Sequence, residues 1–211
     1  MARTEEPPTP KGQATRAHLV DVASRVFAER GYAATKFSEL IAESGLTKGA
    51  FYFYFPSKAA LAAEVVREQD RRWVARVRER VLTRATPREQ LADLIPAMIE
   101  LLAQDPGAWS VVRLVRELAE DPPTDAPVEK PMDGWLTLLT GIIVDGQQAG
   151  DFRDDIDAAV LATVLVGAFD GIKALVDAAA ADDPEGEDRI ARLRAPADAL
   201  ARLTLDGLEP R

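Results

Sequence analysis

Cysteine is absent from this chain, which excludes disulfides, thiolate metal sites and cysteine nucleophiles and fits a reducing compartment. Histidine is nearly absent too. The one copy, His18, has no Asp, Ser or second His at a useful spacing, so it reads as a surface or capping residue rather than a ligand or a base. Long hydrophobic runs are also missing. The longest uncharged apolar stretch, residues 158–169, is 12 residues and too short to cross a bilayer, and the opening MARTEEPPTPKGQ has no apolar leader core. A cytoplasmic protein with no membrane partner is the expectation. No segment alternates with the period of a strand, no internal repeat is present, and no pattern places a carboxylate pair in a core. Catalytic residues, cofactors and metals are therefore not expected.

What is present suffices for a packed core: 211 residues, 47% of them hydrophobic. The net charge of −9 argues against a nucleic-acid partner when taken as an average. Its distribution argues otherwise. Residues 1–90 carry 16 Lys and Arg against 11 Asp and Glu, whereas residues 91–211 carry 10 against 24. The first part can face a polyanion and the second would face away from it, so two functional parts are expected, with a boundary near residues 85–90.

In chain order, Pro7, Pro8 and Pro10 mark residues 1–12 as a disordered arm, whose Arg3 and Lys11 are at most phosphate contacts. From about Thr15, Leu19, Val22, Ala23, Val26 and Phe27 fall on one helical face that ends at Gly31. Thr35 is the expected cap of a short helix marked by Phe37, Leu40 and Ile41. Gly45 permits a tight turn, Thr47 caps the next helix, and Pro56 ends it. Helix, glycine turn, helix is the helix-turn-helix pattern. A long helix capped by Ser57 follows to about Thr83, and its many arginines read first as a solvated, salt-bridged face. Helices are then expected from Thr86-Pro87 to Asp105, over 108–119, 132–149 and 155–180, and from about 187 to Leu205.

Residues 16–66 resemble the N-terminal domain of the tetracycline-repressor (TetR) family over its whole length. The match runs through the Phe27-Ala28-Glu29-Arg30-Gly31-Tyr32 corner, Ile41-Ala42 before Gly45, and Tyr52, Phe55 and Lys58 at their spacing. GLTKGAFYFYFPSKAALA is similar in particular to the γ-butyrolactone receptor subgroup. The resemblance implies an all-α fold: a three-helix DNA-binding domain over 13–60, then a ligand-binding and dimerisation domain over 61–211, with residues 57–83 as the linking helix. It implies that the helix after Thr47 enters the major groove of an operator. Lys48 would hold phosphate, and Gly49 and Ala50 would approach bases. Thr35, Thr47, Tyr52, Tyr54 and Lys58 would fix the phosphates, while Phe51 and Phe55 would be core. Tyr54 stands where the family often has His, which keeps a hydrogen bond but removes a titratable group.

The resemblance also implies a homodimer through the last two helices. The arc from Ile156 to Val176 is apolar over more faces than one core needs, and a central helix of a monomer is the plain alternative. A pocket for a small lipophilic effector, with a γ-butyrolactone as the candidate, is expected from Leu94, Met98, Leu101, Trp109 and Val112 together with Met132, Trp135, Leu139 and Phe169. Each of these residues taken singly also fits plain packing. Trp135 stands out, because the resemblance implies a Trp against the ligand at a similar place in γ-butyrolactone receptors, where its indole N–H would meet a ligand carbonyl. The reading is a ligand-released repressor on a palindromic operator. Its rivals are a TetR-type regulator or activator without a ligand and, from another class, a small helical enzyme or lipid carrier.

Overall fold

Thr9 and Pro10 start the first helix earlier than apolar spacing suggests. In a computed structural model that describes residues 9–104, 114–115, 117–118, 132–179 and 189–210, α1 runs Pro10–Arg30. Thr9 accepts the Gly12 N–H at 3.2 Å through its hydroxyl, and Pro10 occupies the first turn. Proline there costs no hydrogen bond and its φ already suits the helix, so a residue read as a breaker is a starter. The expected arm of residues 1–12 is shortened accordingly, and Arg3 lies outside the described residues.

The helices that follow are α2 (Phe37–Ser44), α3 (Lys48–Tyr54), α4 (Lys58–Val81), α5 (Pro87–Gln104), α6 (Asp133–Ala149), α7 (Ala158–Ala179) and α8 (Arg189–Gly207). Leu114, Val115, Glu117 and Leu118 are also helical, within the expected 108–119 helix, and the described residues contain no strand. The architecture is all-α, as expected. Thr35 does not cap α2. Lys36 takes that position, and the Glu39 carboxylate accepts its N–H at 2.8 Å. Ser57 caps α4 as expected, accepting the Ala60 N–H at 3.1 Å.

Two compact units result, residues 1–69 with 107–130 and residues 70–106 with 131–211. The expected division at residue 60 differs because Leu61, Ala62, Val65 and Val66 of α4 lie in the core of the first unit, as do Leu114 and Leu118. That core joins one face of α1 to Leu40, Phe51 and Phe55. In the second unit α5 packs against α6 and α8, and α7 against the same two helices. Arg80 of α4 and Arg84, in the turn that follows it, both pair with Asp93 of α5, at 3.3 and 3.0 Å.

By length and composition α7 could cross a membrane, with a mean hydropathy of 1.9 over its best window. Counting only uncharged residues hid this, since Asp170 and Lys173 interrupt the run. Those two charges pair at 3.1 Å and Lys173 is buried in the protein, which marks α7 as a bundle helix.

Candidate nucleic-acid interface and effector cavity

Gly45, at φ 68°, makes the turn between α2 and α3 in a conformation that favours glycine. Ser44 locks it: its hydroxyl donates to Ile41 O at 2.7 Å and accepts the Leu46 N–H at 3.2 Å. Exposed His18 adds a tie from α1, its Nε2 standing 3.1 Å from Ser44 O. A carbonyl only accepts, so Nε2 carries the proton in that contact. Thr47 then caps α3, accepting the Ala50 N–H at 3.2 Å.

Phe51 and Phe55 point inward at 1% and 2% exposure, and Phe37 meets both Phe51 and Tyr52 edge-on at 5.1 and 5.2 Å. The opposite face stays open: Thr47, Lys48, Gly49 and Tyr52 are exposed, with Ala50 and Tyr54 half-buried beside them. Lys48 Nζ lies 5.9 Å from the Tyr52 ring centroid, a long cation–π approach. Sequence reasoning passed over Phe53, which is 73% exposed. The signal was available. Phe51 and Phe55 are one helical turn apart and share a face, and Phe53, two positions from each, must point away from it.

Two expected phosphate ligands have other work in this structure. Thr35 is 1% exposed and its hydroxyl donates to Gly31 O at 2.7 Å, so it is held inside the fold rather than offered to a phosphate. Lys58 Nζ donates to Tyr32 O at 2.8 Å and Thr35 O at 2.9 Å and sits 4.1 Å from the centroid of the Tyr32 ring. The other side of the same turn is held by Glu117, which accepts the N–H groups of Tyr32 at 2.7 Å and Ala33 at 3.2 Å. Gly31, at φ 80°, gives the turn its shape, and a Cβ there would meet Glu117 Oε1 at 3.2 Å. The segment around Leu114 and Leu118 thus clasps the turn that leads into α2.

Glu64 of α4, buried in the first unit, binds Arg16 Nη1 at 2.7 Å and Arg67 Nη2 at 2.8 Å. The hydrogen bond from Arg16 foremost, with Arg67 adding to it, outweighs burial and holds the Glu64 carboxyl at about 2. An unfolded Glu titrates near 4.3, so the folded state gains stability above that pH and loses it as pH falls towards 2. The gain is on the order of 2 kcal/mol, reduced by the solvation of both arginines. Urea denaturation at pH 7 and pH 3 should show that difference, and Glu64→Gln should remove most of it. An equal pH dependence in the variant would place the effect elsewhere.

The second unit contains an apolar cavity with an empty volume of about 610 Å³, its open mouth included. Of the expected lining, Leu94, Met98, Met132, Trp135, Leu139 and Phe169 border it. Leu101, one turn beyond Met98, does not, and Trp109 and Val112 lie outside the described residues. Leu91, Ile95, Leu165 and Val166 extend the walls, with Leu200 and Ala201 from α8. Three polar residues complete it: Asp170, Lys173 and Thr204. Sequence reasoning missed them because their neighbours made an apolar stripe. The expected donor role of Trp135 also changes, since its Nε1–H donates to Asp70 Oδ1 at 3.0 Å.

Residues 19–65 match the family of bacterial regulatory proteins called tetR, and residues 66–177 match the C-terminal region of YsiA-like proteins. The Fatty acid metabolism regulator protein of Bacillus subtilis (strain 168) is 28% identical over 153 residues, covering 72% of this chain and 78% of its own. The A-factor receptor protein of Streptomyces griseus is 29% identical over 167 residues, 76% of this chain and 54% of its own. A solved structure described as the molecular basis for control of antibiotic production by bacterial hormones is 32% identical, with a TM-score of 0.70 over 93% of this chain and 98% of its own. A TetR-family transcriptional regulator from Pectobacterium atrosepticum is 29% identical, with a TM-score of 0.73 over 93% of this chain and 95% of its own.

Proposed function

The chain belongs to the tetR family of bacterial regulatory proteins, and from that premise we propose that it is a homodimeric repressor, released from a palindromic operator by a small lipophilic effector. Membership makes it a DNA-binding transcriptional regulator and disposes of the enzyme and lipid-carrier rival. The observation that carries the reading is the split of α3. Its aromatics at 51 and 55 anchor it in the core, while Lys48, Gly49, Tyr52 and Phe53 are left on an open face that a major groove can admit. An ammonium, a phenol and small residues supply phosphate and base contacts there, with the exposed Phe53 ring available to a thymine methyl.

Dimerisation is supported by α7 and α8. Val160 (59% exposed), Val164 (58%) and Leu175 (73%) lie along one outward stripe of α7, where nothing stands within 4 Å of a Cβ added at Gly167 or Gly171. Leu203 of α8 is 72% exposed. Such a stripe suits a two-fold interface, and a two-fold protein suits a palindromic site. Sedimentation equilibrium at micromolar concentration should give a dimer, and a monomer would overturn this part of the reading.

The effector is supported by the cavity and by relatives whose names refer to fatty acid metabolism and to A-factor. Effector and operator compete because each favours a different arrangement of the two reading helices, and differential affinity is all that the effector can use. Action on DNA supports a cytoplasmic location as part of the same proposal.

The test is binding to the DNA upstream of the protein's own gene, followed by fluorescence anisotropy across a salt series. Affinity should fall steeply with salt, and Lys48→Ala should flatten the slope of log K against log salt by about 0.9, one phosphate's worth. An unchanged slope removes Lys48 from the phosphate contacts. Lactones and fatty acyl compounds added to the same assay should release the DNA. Retention against all of them favours a regulator or activator without a small ligand.

A further inference from the structure

The outermost line of α3 carries no side chain that can hydrogen-bond a base. At about 100° per residue, Phe53 lies about 200° from the buried Phe51 and so stands opposite the core, and Gly49, one turn earlier, shares that line. Phe53 is 73% exposed, and nothing stands within 4 Å of a Cβ added at Gly49. The hydrogen-bonding side chains lie on the flanks. Lys48 and Tyr52 occupy one flank, where the Tyr52 ring is edge-on to Phe37 at 5.2 Å and Lys48 Nζ stands 5.9 Å from the Tyr52 centroid. Tyr54 occupies the other, its ring edge-on to Phe53 at 5.1 Å.

A helix seated in a major groove turns its outermost line to the base edges and its flanks to the two phosphate strands. Lys48 and the two tyrosines can serve the strands. Phe53 is left to the bases, and the apolar group that bases display in that groove is the thymine 5-methyl. Gly49, without a side chain, lets the helix come close enough for the ring to reach it. Resting on the operator-binding reading above, we propose that Phe53 specifies thymine through its 5-methyl group, so that an apolar contact rather than a hydrogen bond fixes that base.

The test starts from the duplex most enriched when the full chain selects from a random-sequence library, synthesised once with thymine and once with uracil throughout. Uracil makes the same hydrogen bonds as thymine and lacks only the methyl. By fluorescence anisotropy the parent chain should bind the uracil duplex at least about fourfold more weakly, the worth of one buried methyl group. Phe53→Ala should bind the thymine duplex more weakly and no longer distinguish the two, whereas Lys48→Ala should weaken both and keep their ratio. If Phe53→Ala keeps the parent's ratio, the methyl acts through the shape of the DNA and the proposal is overturned. Equal binding of both duplexes by the parent overturns it too and leaves operator binding standing. Enrichment of no sequence at all would remove the operator reading and this proposal together.

Discussion

Replacing Phe51 by alanine is expected to cost about 3–5 kcal/mol and to abolish operator binding at 37 °C. The side chain is 1% exposed and belongs to the core that joins α1, α2, α3 and α4, with Phe37 edge-on at 5.1 Å. Because α3 has only seven residues, it has little stability apart from this packing. A loss of that size is a large part of the roughly 5–15 kcal/mol that holds a typical domain together. Phe53→Ala supplies the contrast two positions away. At 73% exposed its ring packs little, so stability should change by about 0.5 kcal/mol or less while operator affinity falls. Urea denaturation and anisotropy on both variants separate the two effects. Equal losses of stability would mean that α3 does not divide into a core face and a DNA face.

The inward face of α3 was legible because its signals are local. Apolar spacing, Gly45 and the Thr47 cap describe neighbours within one or two turns, and such signals place α2, α3 and the inward aromatics correctly. Pro10 was misread for a reason equally local: a proline's effect depends on whether it begins a helix or interrupts one. What the sequence did not disclose are pairings across long separations. Glu117 meets Tyr32 across 85 positions, and Trp135 donates to Asp70 across 65. No periodicity encodes either contact. Lys173 was hidden differently, inside an apolar helix where a lone cation looks like an interruption until its aromatic neighbours are in place.

The clasp on the turn at Tyr32–Thr35 decides between two uses of Lys58. If its ammonium serves the turn, Lys58→Met should cost about 2–3 kcal/mol, since it removes two charge-assisted bonds to carbonyls and the contact with the Tyr32 ring. Operator affinity would then fall because α2 and α3 are less well placed, and the salt slope would stay as in the parent. If Lys58 instead neutralises a phosphate, the slope should drop by about 0.9 with little change in stability. Glu117→Ala tests the other side of the turn. It strips the acceptor from the Tyr32 and Ala33 N–H groups and should cost about 1.5–3 kcal/mol, whereas Glu117→Gln keeps an acceptor and should recover part of that. The double variant is the more telling measurement. Lys58 and Glu117 hold the one Tyr32–Thr35 turn from opposite sides, so their effects should fall short of additivity by about 0.5 kcal/mol or more. Strict additivity would mean that the turn keeps its shape when either side is released, and that neither side chain positions the reading helix through it.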